Sequence, residues 1–383
     1  MIPEYRLTAE KVRQQTMSTL TEHLTLEVNG YRCTTEMVLD VILKASAERS
    51  SVEAACQDLA GVAASNTVRE YLNAALQVAK LREQEAEMNA ALAASIPEAM
   101  KREGIEVAID LHDEPFYGKR PDLLAVTCRG QAKKGTTHFI RFASAYVIWR
   151  QVRLTLAIHY VLPGEEKLTV LQTLLSRLKT LNFTFRVLYM DKAFAAGPII
   201  RYLTDIRQPA IIACPIRGKQ GGTRALCRGR QSYRTDHTFK DGTTANLALF
   251  ASLVPDKTGK RRRKWLAFIV IQLDWKPQQI HARYRRRFGI ECSYRSMRQV
   301  RAHTTSRNPA LRFFLLAVGL VLVNTWVFLR WVFTRLMAPG PRRVDSRRFR
   351  FHRFTRLLVR AVEAIYGSVM SIQTHVLPES VIY

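Results

Sequence analysis

Residues 183–191 read FTFRVLYMD, an apolar segment of β-branched and aromatic side chains that ends in one carboxylate. The pattern predicts a buried strand with Asp191 at its end. Helices are expected on both sides of it, at about 165–181 and in the AGPIIRYLTDI stretch at 196–206. Strands that alternate with helices indicate an α/β fold, in which helices cover the faces of a sheet.

The rest of the chain extends this pattern. Strands are predicted at 105–111, 137–149, 152–161 and 265–273, so the sheet is expected to be mixed, whereas residues 34–103 have helical periodicity. The predicted organisation has five parts. They are an all-α N-terminal domain at 1–103, a core in two parts at 104–213 and 265–336, a basic β-rich insertion at 214–264 and a basic C-terminal tail at 337–383.

The charge of the chain predicts a polyanionic partner. The formal net charge is +27 and the pI is about 10.3. Residues 1–103 hold 11 Lys/Arg against 15 Asp/Glu, so the whole surplus lies in the second part of the chain. Nucleic acid is the first expected partner and an anionic membrane the second. Two helices near 50–76 have a helix-turn-helix shape, although the local acidity leaves an ordinary helical hairpin equally open.

Several cellular locations are disfavoured by the sequence. The six cysteines contain no CxxC pair, which argues against a zinc ribbon and a dense disulfide framework, and no secretory signal is visible. Residues 313–333 approach the length of a membrane span but contain Asn324, Thr325 and Arg330. A buried core helix is therefore favoured over a membrane span. We expect a cytoplasmic, nucleoid-associated prokaryotic protein with no membrane partner.

Three carboxylates are candidates for a metal site. Asp110 and Asp191 each follow an apolar strand, where an open α/β sheet gathers its ligands, and Glu291 lies on a predicted helix that follows the last core strand. Three neighbouring carboxylates need a compensating cation, and oxygen ligands suit Mg²⁺ or Mn²⁺. Two such ions would support in-line phosphoryl transfer. Asp113 and Glu114 compete with Asp110 for the first position, but strand alternation favours Asp110.

The helix that carries Glu291 is rich in arginine. Residues 284–298 read YRRRFGIECSYRSMR, and helical spacing places four further residues on the face of Glu291. These are Tyr284, Arg287, Arg295 and Arg298. Such a face could hold DNA phosphates beside a metal ligand. The alternative is that Glu291 makes ordinary surface ion pairs with its neighbours.

The spacing Tyr284, two residues, Arg287, three residues, Glu291, six residues, Arg298 resembles the Y-(2)-R-(3)-E-(6)-K signature of a group of insertion-sequence DDE transposases, with arginine in place of the final lysine. The resemblance covers roughly residues 105–335. It implies a ribonuclease H-like core with a mainly β insertion before the last catalytic helix. It also implies that Asp110, Asp191 and Glu291 are the catalytic, metal-binding triad and that Tyr284, Arg287 and Arg298 hold the transposon-end phosphates.

Other DNA contacts are expected outside this helix. The run Arg261, Arg262, Arg263, Lys264 ends the basic insertion, and Trp265 follows it. Family members that form a DNA hairpin stack a flipped base on an aromatic residue of the insertion, so Trp265 is a candidate, although it could equally begin a core strand. In the C-terminal tail, three phenylalanines alternate with arginines and suit stacking plus backbone contacts. They are Phe349, Phe351 and Phe354.

The predicted function is DNA transposition by a cut-and-paste route, with Mg²⁺ or Mn²⁺ as cofactor, hairpin formation at the element ends and a homodimer on paired ends. Two alternatives remain open from the sequence. A structure-specific nuclease of the same fold would cut without joining strands. A non-catalytic basic DNA-binding protein would bind DNA in a salt-sensitive manner without metal-dependent products.

Overall fold

The strands expected near the acidic residues are all present in the computed structural model, which describes residues 6–28, 30–31, 33–150, 152–218, 222–256, 259–337 and 339–371. The helices of this part are α1 Ala9–Thr21, α2 Thr35–Glu48, α3 Val52–Asp58, α4 Ser65–Ala75, α5 Leu81–Ala94, α6 Glu98–Lys101, α7 Pro121–Leu124, α8 Lys167–Thr180, α9 Gly197–Asp205, α10 Pro277–Tyr284, α11 Gly289–Arg298, α12 Pro309–Phe333 and α13 Phe351–Tyr366. The strands are β1 Ile105–Phe116, β2 Cys128–Lys133, β3 Thr136–Ile148, β4 Thr155–Val161, β5 Phe185–Met190, β6 Ala210–Cys214, β7 Tyr233–Thr238, β8 Thr244–Pro255 and β9 Arg261–Ile271.

In the described part of the chain these strands form one mixed sheet in the order β2-β3-β1-β5-β6-β9-β8-β7, and β4 pairs with β3 beside this path. Strands β1, β5 and β6 run parallel to one another, and the remaining pairs are antiparallel. The mixed sheet flanked by helices confirms the predicted α/β class. The helical region that precedes it is also present, in α1 to α6.

Three local predictions differ from the structure. β1 continues to Phe116, so Asp110 lies in the middle of a strand and does not close it. β9 begins at Arg261, so the basic run predicted to be insertion forms the first part of a core strand. The single helix predicted from Pro277 is interrupted by a 3₁₀ turn at Arg285–Phe288. Short 3₁₀ segments inside helices tighten the winding and often lie at functional positions.

Odd-numbered and even-numbered residues of β1 point to opposite faces of the sheet. Odd-numbered residues of β1 pack with α8 and α9 in one apolar cluster, which includes Ile109 and Leu174. The other cluster contains α10 to α12 and the N-terminal helices, and Ala108 belongs to it. Because successive strand residues point to opposite faces, Asp110 shares the face of Ala108. The acidic residues of β1 with even numbers therefore face α10 and α11.

The free edge of β4 is covered by polar side chains from the helices. Asn89 of α5 bonds both the N–H (2.8 Å) and the carbonyl (3.0 Å) of Ile158. Asn324 of α12 does the same to Thr155, at 3.0 and 2.8 Å, and also donates to the Leu92 carbonyl. Unpaired edge groups are costly when buried, so these amides replace a missing neighbouring strand.

This use of Asn324 explains the polar interruption in the apolar segment. α12 is the one described helix that is long and apolar enough to span a membrane, and 83% of its most apolar window is buried by the protein. It packs against α5, α11 and β4. Asn324 and Thr325 are fully buried. The segment therefore forms the core helix that the sequence predicts.

The first and last described helices pack together. α13 packs against α1 and α2, so the part of the predicted tail that the structure describes includes a docked helix. The stacking prediction for its phenylalanines is wrong for two of them, because Phe349 is 4% and Phe354 0% exposed. Phe351 is half-buried and contacts Trp326. Residues 372–383 lie outside the described part.

Asn324→Leu is expected to lower the free energy of unfolding by about 2–4 kcal/mol, because it leaves several buried backbone groups of Thr155 and Leu92 without partners. Thr325→Val is the matched control, since Thr325 is equally buried but bonds only within its own helix. We expect the control to lose less than about 1.5 kcal/mol. Urea denaturation followed by circular dichroism measures both, and equal losses would contradict the edge-capping role.

Candidate active site

Asp110 and Asp191 lie on neighbouring parallel strands. In the register of β1 and β5, Ile109 lies opposite Met190, so each aspartate directly follows a member of the same pair. Neighbouring strands are about 4.8 Å apart, which brings the two carboxylates to one place on the sheet. The predicted proximity of these two residues is therefore present in the structure.

A stripe of carboxylates runs along β1, and arginines of the helical segment 277–301 lie against it. Glu106, Asp110 and Glu114 lie four residues apart, so their side chains share one face of β1. Glu106 binds Arg283 and Arg286 at 2.7 and 3.1 Å, Asp110 binds Arg287 at 3.2 Å, and Glu114 binds Arg301 at 3.1 Å and Arg298 at 3.8 Å. We call these three carboxylates the β1 acid stripe. Each carboxylate of the stripe is thus paired with at least one arginine of the segment.

Arg287 is the member of this set that touches the candidate catalytic carboxylates. One amino group lies 3.2 Å from Asp110 Oδ2 and the other 3.6 Å from Glu291 Oε1. Its charge also interacts with Asp191. In the described residues no group of three or more His, Cys, Asp and Glu side chains has the geometry of a metal site. Arg287 thus contacts two of the three predicted ligands directly and interacts with the third through its charge.

The electrostatics of the stripe differ along its length. Burial raises the pKa of Asp110 to about 6, with the nearby Asp191 charge adding to the shift and Arg287 opposing it. Burial alone would also raise the pKa of Glu114, but hydrogen bonds and charges from His112 and Arg301 outweigh it and lower the pKa to about 2. Glu114 is thus a satisfied structural anion, whereas Asp110 is an undercompensated one.

Two residues that were predicted to contact phosphates are buried in the structure. Tyr284 is 6% exposed, and its hydroxyl donates to the Met190 carbonyl at 3.1 Å, immediately before Asp191. Arg287 is also 6% exposed and turns towards the acids. The 3₁₀ turn and close packing explain this placement. A Cβ at Gly289 would lie 2.5 Å from an Arg153 nitrogen, so glycine allows the helix to approach the sheet closely.

The other predicted DNA contacts lie at or near the surface. Arg295 is exposed, and Arg298 is exposed while its guanidinium reaches His112 and Glu114. The run Arg261, Arg262, Arg263 and Lys264 is exposed on β9, paired with the end of β8. Trp265 is half-buried against Tyr233, with its ring centroid 6.2 Å away. Their predicted binding roles stay predictions.

The competing acids have other partners. Asp113 lies on the opposite face of β1 and binds Arg141 in a two-point contact at 2.7 and 3.1 Å. Sequence reasoning missed Glu106 and His112, which stands between Asp110 and Glu114 and contacts the Tyr294 ring at 4.6 Å. The sequence signal was partial, since Glu106 and Asp110 share one parity in the predicted strand 105–111, whereas His112 and Glu114 join that face only because β1 continues to Phe116.

An open cleft of about 490 Å³ adjoins the Asp191 end of the site. Lys192, Arg217 and Arg285 supply cations to its wall, and Phe268 and Phe288 supply aromatic surface. Phe288 is 48% exposed. A groove with positive charge and aromatic faces has the chemistry that single-stranded nucleic acid requires.

The chain matches the family model of the transposase DDE domain over residues 129–324, about half of its length, and it belongs to that family. The matched region contains Asp191 and Glu291 and begins after Asp110. The structure is similar to a cryo-EM structure of a piggyBac transposase synaptic complex with hairpin DNA, with a TM-score of 0.58, 10% identity, and coverage of 94% of this chain and 78% of that chain. This likeness confirms the predicted fold class with its ribonuclease H-like core. A search of curated proteins found no match.

Members of this family generally use divalent metal ions. The donor set fits such ions, because Asp110, Asp191 and Glu291 offer only carboxylate oxygens. Arg287 lies against two of these acids, and its buried Nε has no hydrogen-bond acceptor among the described residues. An unpaired donor calls for an acceptor and not for a metal ion, so the fit rests on the carboxylate oxygens alone.

Asp110→Asn is expected to change the pH dependence of stability in metal-free buffer. The pKa of Asp110 in the folded chain is about 6 against an ordinary 3.8, so the folded state binds this proton more tightly. The stability that Asp110 contributes should therefore be lost as pH rises from about 4 to 6, so the free energy of unfolding of wild type relative to the variant should fall by up to about 3 kcal/mol over this range. Urea denaturation with EDTA at several pH values measures this. Asp205→Asn, at an exposed position of α9, is the control. Parallel profiles for Asp110→Asn and wild type would contradict the assignment.

Proposed function

We propose that this transposase cleaves DNA at the ends of an insertion sequence and joins the released 3′-hydroxyl to target DNA, with Asp110, Asp191 and Glu291 as its metal-binding residues. One observation carries the proposal. The β1 and β5 register brings Asp110 beside Asp191, and Arg287 links Asp110 to Glu291 on α11. Three acids from distant parts of the sequence thus surround one cation.

Asp110 and Asp191 would hold the ions from the sheet, and Glu291 would complete the set from the helix. A pair of Mg²⁺ or Mn²⁺ ions held by these carboxylates would supply activation of the attacking oxygen and stabilisation of the leaving oxygen of the phosphodiester. Glu291 is 55% exposed, so its side chain has room to reorient towards Asp110. Tyr284 holds the end of β5 through the Met190 carbonyl and thereby fixes the position of Asp191.

The surface around the acids suits a DNA strand. Arg295 and Arg298 continue the exposed side of α11, and the cleft beside Lys192 provides cations and aromatic rings next to Asp191. The spacing of Tyr284, Arg287, Glu291 and Arg298 supports membership of the Y-(2)-R-(3)-E-(6)-K group. A hairpin at the element end and a homodimer on two paired ends complete the proposed cut-and-paste route.

Arg287→Gln is expected to destabilise the metal-free protein by about 3 kcal/mol, because it leaves buried carboxylates uncompensated. The same variant should gain more thermal stability from Mn²⁺ than wild type gains, since no guanidinium competes for the carboxylates. Arg286→Gln is the matched control, because Arg286 lies next in sequence but binds Glu106. Thermal denaturation across a Mn²⁺ titration measures both effects. Identical Mn²⁺ shifts in Arg287→Gln and wild type would contradict the shared position.

Asp191→Asn and Glu291→Gln are each expected to lower metal-dependent cleavage of an element-end duplex by more than about 100-fold. This exceeds the 10–100-fold loss typical of residues that only support metal ligands. Asp205→Asn is the control and should retain wild-type cleavage. Gel separation of end-labelled products with Mg²⁺ or Mn²⁺ measures cleavage and strand joining together. Cleavage by both site variants at the wild-type rate would refute the proposed function, whereas cleavage without joining would favour the nuclease.

A further inference from the structure

The C-terminal helix α13 has two chemically different faces. Its apolar face is buried against α1 and α2, with Phe354, Leu358 and Val362 almost without exposure. Two polar contacts secure this packing. Glu363 binds the buried Lys44 at 2.9 Å, and the Tyr366 hydroxyl donates to Asp40 at 3.0 Å. The helix is therefore held in one orientation on the N-terminal helices.

The outer face of α13 is cationic. Arg353, Arg356 and Arg360 are exposed and have no carboxylate partner in the described ranges. Residues 337–371 contain eight arginines and two acids. Both acids are engaged, since Glu363 turns inward to Lys44 and Asp345 lies 3.4 Å from Arg348. The uncompensated charge is thus concentrated on one side of the helix.

We propose that this outer face binds the phosphate backbone of duplex DNA and thereby gives the acidic N-terminal helices a DNA-binding surface. Arg353, Arg356 and Arg360 rise by about 10 Å along the helix axis, a span that covers several phosphates of one strand. Guanidinium groups bind phosphate oxygens in two-point contacts. The inference rests on the proposed function for its partner, because the DNA held here is the DNA that the acids would cut.

Two features define what this surface recognises. Phe349 and Phe354 are buried, so these rings cannot stack on bases, and the remaining contacts are arginines directed at phosphates. Phosphate contacts position a protein without reading sequence. The apolar face that a membrane-bound helix would insert into lipid is already covered by α1 and α2, which favours DNA over an anionic membrane.

The test uses the full chain with Arg353, Arg356 and Arg360 all changed to Gln. Binding to a 30-bp duplex is measured by fluorescence anisotropy in EDTA, with the element-end sequence and with a scrambled sequence. We expect affinity to fall roughly 100-fold at 0.1 M salt for both duplexes. The slope of log affinity against log salt should decrease by about 2.7, as expected for three lost phosphate contacts.

Two further variants make the result decisive. Lys167, Lys179 and Arg201 are exposed on α8 and α9, which cover the opposite side of the sheet from the acids. Changing these three to Gln removes the same charge and should leave affinity and slope almost unchanged. Changing the α13 arginines to Lys keeps the charge and should retain most of the binding. Circular dichroism and urea denaturation confirm that each variant is folded.

Several outcomes would overturn the inference. Unchanged affinity in the folded α13 Gln variant would do so, as would equal losses in the α8 and α9 control. Binding of wild type to phosphatidylserine vesicles that the α13 change abolishes, with duplex affinity intact, would assign the face to a membrane. DNA affinity is measured without metal and so does not depend on cleavage. If the protein binds DNA through α13 but does not cleave it, the proposed function is wrong and the inference about α13 remains.

Discussion

The structure depends on the pairing of the β1 acid stripe with the arginines of the segment 277–301. Ions removed from water lose several kcal/mol of hydration each, so a strand with three acids on its inner face is unfavourable without matched cations. The helical segment supplies at least one guanidinium for each acid. Pairing with the arginines is therefore a condition for burying this face of the strand. The register of β1 and β5 places Asp110 beside Asp191, and the neighbouring acids Glu106 and Glu114 hold the arginine-rich segment against the strand.

The helix responds to this pairing in its own geometry. Tyr284 bonds the end of β5, Gly289 permits close approach to the Arg153 region, and the 3₁₀ turn between them turns Arg287 towards Asp110. Arg287 consequently acts as a counterion inside the site. It also accounts for the single glutamate, Glu291, in the arginine-rich stretch 284–298. Glu291 belongs to a set of acids whose positive partner, in the chain without bound ions, is the guanidinium one turn away.

Much of this arrangement could be predicted from the sequence, and the rest fails for identifiable reasons. The apolar strands and the acids at or near their ends follow from local patterns, so the α/β class and the proximity of Asp110 to Asp191 were accessible. Helical spacing alone could not show that Tyr284 and Arg287 face inward, because the 3₁₀ turn and their contacts with β5 and β1 exist only in the folded chain. Asn324 looked like an interruption in an apolar helix, because the free edge of β4 exists only in the folded sheet. Phenylalanines and arginines alternate in the sequence near α13. In the structure Phe349 and Phe354 are buried, whereas Arg353 and Arg356 are exposed.

The net positive charge of the chain is therefore large, and its acidic side chains turn inward while many basic side chains stay at the surface. Glu106, Glu114 and Glu363 all turn inward and are each paired with a cation, whereas cations such as Arg295 and Arg356 are exposed without a carboxylate partner among the described residues. Turning acids inward strengthens the outward field without adding any arginine. Exposed charges attract a polyanion over about one Debye length, roughly 8–10 Å at moderate salt, whereas the inner pairs are shielded from it. The acid stripe that holds the segment 277–301 against the sheet thus also removes negative charge from the exposed surface.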